Sequence, residues 1–253
     1  MVAHSSWAPT QLAILIELEA CGRLAARTGI ARLREVLGAL YYAAILTGQT
    51  PGLQPNAPGD LPPGTFLVGP STSAALSADL LRGEGLKRLD LRSLAAGGFA
   101  DFDSAIATGW GTFARARIAT GLAWLQRGID SVSPLDSVLA LGVALESVIG
   151  DTTSRDVMTI LTRRLPFLLL PRGPALERLD VIERTKTFYE YRSRVAHGRL
   201  SREDETRGDF VEHRREFATF VARTIAAFIE RVEEDRWDDE RMMQRWFELA
   251  YVA

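Results

Sequence analysis

From residue 112 onward, apolar residues return every third or fourth position in one segment after another. That spacing is the period of an α-helix with one face turned to a core. Ala114, Ile118, Leu122, Leu125 and Ile129 mark a first helix. Ser133-Pro134-Leu135-Asp136 opens a second, with Ser133 as N-cap, Pro134 at the first helical position and Asp136 three residues on. Val138, Leu141, Leu145 and Val148 form its buried face, and Gly150 stops it. Thr153 with Asp156 repeats the capping pattern for a third helix, lined by Val157, Ile160, Leu161, Leu165 and Leu168. Pro166 is expected to kink it, because the ring removes a hydrogen bond and crowds the preceding turn. Pro171-Arg172-Gly173-Pro174 forces a loop, and a fourth helix runs from about Ala175 to His197, ended by Gly198. Ser201 with Asp204 caps a long fifth helix whose core face is Phe210, Phe217, Val221, Ile225, Phe228 and Val232. Five helices joined by short loops predict an all-α fold in which 111–253 is an antiparallel bundle.

Residues 1–110 are expected to form a helical region of unknown role. Leu12, Leu15, Ile16 and Glu19 suggest a short helix, and Ile30, Leu33, Leu37, Leu40, Tyr41 and Ala44 follow helical spacing. The segment 47–70 is dense in Pro and Gly and reads as a linker, within which Thr65 to Val68 suits an isolated strand. Ser73 is placed to cap a helix running to Gly83, and 95–111 is a second glycine-rich stretch.

Composition narrows the function. A hydrophobic content of 47% is too high for a disordered chain. The 30 basic and 32 acidic residues nearly cancel, so no global field draws in nucleic acid, and RNA would have to meet a local basic patch. Cys21 is the only cysteine, which excludes an internal disulfide or a multi-thiolate zinc site. With only three scattered histidines, neither a metal nor a cofactor is expected. The first twenty residues lack a secretory pattern, and the apolar run 36–47 is too short to span a bilayer. A cytoplasmic protein without membrane contact is the expectation.

The sharpest local feature is Tyr189-Glu190-Tyr191-Arg192-Ser193-Arg194-Val195-Ala196-His197-Gly198. Histidine moves protons near neutral pH, and arginine is a permanent planar cation. Together they suit metal-free RNA cleavage, in which the 2′-hydroxyl attacks the adjacent phosphate. His197 would be the acid or base and Arg192 the phosphate clamp. On a straight helix, five residues leave the two roughly 140° apart around the axis and about 7.5 Å apart along it. Either the helix frays at Gly198 or the working cleft joins two subunits. Arg194, Arg199 and Arg202 are the nearest RNA-binding candidates, with Tyr189 and Tyr191 as stacking surfaces. A plainer reading stands beside this one. Arg192 pairs with Glu146 inside the bundle, and His197 serves the negative end of the helix dipole. His213, between Phe210 and Phe217, is expected at the border of the core. The acidic run Glu233, Glu234, Asp235, Asp238, Asp239 and Glu240 is expected to be a solvated face.

The Arg192–His197 spacing, with its closing His-Gly, resembles the R-x4-6-H signature of HEPN proteins, most closely the Apea-like branch. Leu141 to Ile149 (LGVALESVI) resembles the branch's "ALE" helix, and Arg164-Leu165-Pro166-Phe167-Leu168-Leu169 its following arginine-and-leucine helix. The amphipathic segment Arg115 to Gln126 stands where the family has its first bundle helix. The resemblance covers roughly 111–236. It implies a metal-independent endoribonuclease with its site at a homodimer interface, in a stress or anti-phage defence (toxin-like) setting. Arg192 and His197 would be catalytic, and Ser193, Glu146 and Tyr189 supporting. The family also contains non-catalytic modules that dimerise, sense or scaffold, the alternative implied here. Ser193 stands where active members often carry Asn, Asp or His, and Arg199 where the tyrosine-modification variant has tyrosine.

Overall fold

The computed structural model describes residues 35, 37–48, 67–68, 73–74, 111–131, 133–151, 156–200 and 208–252. Among the described residues from 111 onward, six helices follow one another: α1 (Thr112–Asp130), α2 (Pro134–Ile149), α3 (Val157–Leu169), α4 (Ala175–Ala196), α5 (Gly208–Asp235) and α6 (Glu240–Val252). The fold is an all-α helical bundle, with one two-residue antiparallel pair ahead of it. In that pair β1 (Leu67–Val68) meets β2 (Ser73–Ala74), with Leu67 opposite Ala74. Ser73 therefore lies in a strand and not at a helix cap. The intervening Gly-Pro-Ser-Thr is a turn sequence that favours a return strand over a helix. The expected helix to Gly83 and the helix around Leu12 to Glu19 lie outside the described residues, as does the Ser201–Asp204 cap.

α2 is the central helix, packed against α1, α3, α4 and α5. That position explains a sequence apolar on nearly every side, from Val138 through Ile149. Its start follows the expected chemistry, with the Asp136 N–H donating to Ser133 Oγ at 3.3 Å and Pro134 in the first turn. The expected core face of α1 (Ala114, Ile118, Leu122, Leu125, Ile129) is buried, as are Phe217, Val221, Ile225, Phe228 and Val232 of the α5 face, while the side chain of Phe210 lies outside the described residues. In α3 the cap is Asp156 itself, whose carboxylate accepts from the Thr159 N–H at 3.1 Å, so the cap stands three residues beyond Thr153. Pro166 lies inside α3, which continues through it to Leu169. It sits buried within the helix, and the Leu170 N–H reaches its carbonyl at 3.0 Å.

Four arginines fasten helix ends, each by donating to carbonyls left open at a C-terminus. Arg117 and Arg164 both reach the end of α2: Arg117 donates to Ser147, Val148 and Gly150, and Arg164 to Ile149 and Gly150. Arg214 does the same for α1 through the Ile129 and Ser131 carbonyls at 2.8 and 2.7 Å. Arg178 serves α3 through Leu170 and Pro171.

Two features depart from the expected packing of five helices within 111–253. Residues 37–46 are helical, and Ala39 and Tyr41 belong to the same core as α1 and α5, so position 110 is no edge of that core. Tyr41 donates its hydroxyl to Asp130 at 2.5 Å, and Gln126 donates to the other carboxylate oxygen. Burial pushes the Asp130 carboxyl up, while these two hydrogen bonds and the nearby Arg214 pull it down. Tyr41→Phe should therefore cost about 1.5–3 kcal/mol, the usual worth of a hydrogen bond to a charged group. Urea denaturation of the two proteins checks it. The second departure is α6. Trp237, Met243 and Phe247 are buried, and Trp237 meets the Phe228 ring at 5.4 Å. Of the acidic run, Glu233, Glu234, Asp235, Asp238 and Asp239 are exposed as expected, but Glu240 pairs with Arg117 at 3.1 Å.

Candidate functional site

α4 carries the motif, and it is the least buried helix of the bundle. Only Thr185 and Phe188 are fully buried among its residues. Arg192 leaves α4 toward α2 and passes over Gly142. A Cβ built at Gly142 would lie 2.8 Å from Arg192 Cγ, so this glycine is the notch that admits the side chain. Beyond the notch, the Arg192 guanidinium reaches Glu146, with an N–O approach of 3.0 Å to Oε1 and a longer contact of 3.4 Å to Oε2. The first is a charge contact outside hydrogen-bond geometry, so Glu146 Oε1 and Arg192 Nε are buried atoms without a hydrogen-bond partner. Burial raises the Glu146 carboxyl above its ordinary range, and the Arg192 charge opposes that shift. Tyr189, one turn back, holds its ring 5.5 Å beneath the guanidinium carbon.

His197 is the C-cap of α4 and is exposed. Its N–H donates to the Ser193 carbonyl at 3.0 Å. Gly198 follows with φ of +63°, a left-handed conformation that suits glycine. The Gly198 N–H reaches Val195 and the Arg199 N–H reaches Arg194, the two bonds of a Schellman ending. The helix is thus regular through Ala196, and the angular separation of Arg192 and His197 holds within one chain. Arg194 and Arg199 are exposed and Ser193 is half-buried, while Arg202 lies outside the described residues. Tyr191 is committed elsewhere, packing on His213 at 5.1 Å and Phe217 at 5.9 Å. His213 borders the core as expected.

The Gly142 notch went unread in the sequence, although a glycine inside a long helical pattern is a recognisable sign of close packing. Gly142→Ala should force Arg192 out of its seat and cost roughly 1–3 kcal/mol by overpacking. A thermal melt beside the parent measures it. Among the described residues, no group of three or more His, Cys, Asp or Glu is placed to hold a metal ion. No described helix is long and apolar enough to cross a membrane. Compared with family models, with curated proteins and with solved structures, the chain matches none.

Proposed function

We propose that this protein is a HEPN-type homodimer that cleaves RNA without metal in the cytoplasm, in a stress or defence setting. The observation that carries the reading is the seat of Arg192. Its guanidinium is fixed by Gly142 and Glu146, yet its side chain keeps 26% of its surface open. A cation held in place before the substrate arrives is what stabilisation of a phosphorane requires. An exposed imidazole five residues away supplies proton transfer. In the reaction, the RNA 2′-oxygen forms a bond to phosphorus and the 5′-oxygen leaves. The His197 imidazole takes the 2′-proton or returns one to the leaving oxygen. Arg192 donates to the non-bridging oxygens. Because one regular helix separates the two side chains, each cleft pairs Arg192 of one protomer with the partner's His197.

Two measurements check this. Sedimentation at tens of micromolar, an order-of-magnitude range for modest affinity, should show a dimer. RNA cleavage should persist in EDTA. Activity abolished by EDTA and restored by magnesium would reject the mechanism.

One observation favours a second reading, a non-catalytic scaffold. The Arg192–Glu146 contact ties α4 to α2, a structural task complete within one chain. On that reading Arg192→Ala lowers stability, and the parent cleaves no RNA.

A further inference from the structure

Arg163 on α3 lies over the Tyr251 ring of α6, its guanidinium carbon 4.8 Å from the ring centre. Tyr251 meets Phe167 edge to face, with centres 5.9 Å apart. Arg178 of α4 lies over Phe167 at 4.5 Å. Three helices thus build one continuous row of cation, ring, ring and cation. Of the other arginines over rings, Arg117, Arg164, Arg192 and Arg231 pair with carboxylates, while Arg127 and Arg194 each lie over a ring of their own helix, Trp124 and Tyr191. Arg163 and Arg178 pair with no carboxylate among the described residues. The two guanidinium charges of the row are therefore available to an anion.

The row is not needed to hold the core. Tyr251 keeps 58% of its surface exposed and Arg163 is exposed, while α6 is anchored by Met243 and Phe247. Arg178 is the fixed member. Its Nε and one terminal nitrogen donate to the Leu170 and Pro171 carbonyls at 3.2 and 2.8 Å, which sets the plane of the guanidinium. Aromatic rings and guanidinium planes are the surfaces on which unpaired bases stack, and the same cations meet the phosphates between them. A paired duplex hides its base faces and gains only the charge contact.

We infer that the row Arg163, Tyr251, Phe167 and Arg178 is a binding site for single-stranded RNA, separate from the Arg192–His197 region. The inference rests on the proposed action on RNA and assigns part of substrate capture to this face. Recognition by stacking tolerates any base, so the site selects unpaired over paired RNA and is largely indifferent to sequence.

The test is fluorescence anisotropy with a labelled oligouridylate and a labelled RNA hairpin of equal charge. The proteins are the full chain, Arg163→Ala/Tyr251→Ala and Tyr251→Phe. The double variant should bind oligouridylate about tenfold or more weakly. Tyr251→Phe should bind like the parent, hairpin binding should change little, and all melts should coincide because neither side chain is buried. Cleavage by the double variant should show a raised KM and an unchanged kcat. Equal binding of oligouridylate by parent and double variant overturns this inference and leaves the proposed function standing. No binding or cleavage of any RNA by the parent overturns both. A polyglutamate peptide whose binding drops with the double variant while oligouridylate binding does not would overturn it in favour of an acidic protein partner.

Discussion

Arg164→Ala should lower stability by about 3–5 kcal/mol, the usual cost of breaking a buried ion pair from one side. Arg164 lies only 9% exposed, and one guanidinium serves two tasks. It donates to the Ile149 and Gly150 carbonyls at the end of α2, and it pairs with Asp151 at 3.2 Å. Removing it takes one of the two arginines from the end of the central helix and leaves Asp151 with Gln244 but without its closest cation. For a chain of this length the loss corresponds to a fall in Tm of roughly 6–20 °C. Arg164→Lys should rescue little, because an ammonium lacks the planar fork that spans carbonyls and carboxylate together. Thermal and urea melts of both variants measure this, and a change under about 1 kcal/mol would remove Arg164 from its place in the account. Arg192→Ala should cost less. The Arg192–Glu146 side chains are 26% and 24% exposed, against 11% and 13% for Arg164–Asp151, so water is nearer to replace the lost partner.

The helices were legible where an apolar stripe or a cap stands out. Ser133-Pro134 opens α2 and the α5 stripe from Phe217 to Val232 is buried, because both follow from local spacing. What spacing does not carry is pairing across long separations. Tyr41 meets Asp130 across 89 positions, and no periodicity in either segment announces it. The same blindness hid that Ala39 and Tyr41 share the core of α1 and α5. α6 was hidden by the acidic run before it. Glu240 read as one more solvated charge until Arg117 was seen to reach it, and Trp237 stood alone between charges with no visible period. Of the candidate site, one contact was legible in the sequence and the space for it was not. Glu146 was named as the partner of Arg192 from sequence, and Gly142, which makes room for the contact, was not. The row of Arg163, Tyr251, Phe167 and Arg178 draws on three helices, and only tertiary packing brings it together.

The largest expected effect on activity belongs to His197. His197→Ala should reduce RNA cleavage by ~10²–10⁴-fold, the range for losing a general acid or base. Its melt should match the parent, because His197 is exposed and its cap hydrogen bond is made by the backbone N–H. Arg192→Ala should also lose cleavage, by removing the charge that meets the phosphorane, with the moderate loss of stability described above. His197→Ala leaves the Arg192–Glu146 contact intact, so of the two it separates chemistry from packing more cleanly.

The measurement that tests the central claim most directly is complementation between these two inactive variants. A dimer of one His197→Ala chain and one Arg192→Ala chain contains one cleft with an intact Arg192 and an intact partner's His197, and one cleft with neither. Co-expressed in equal amounts and assayed in EDTA, the mixture should recover about a quarter of the parental cleavage, since half the dimers are mixed and each holds one working site. A parent active in EDTA with a mixture as inactive as either variant would contradict a site shared between two copies. A parent that cleaves no RNA in EDTA would contradict the account as a whole.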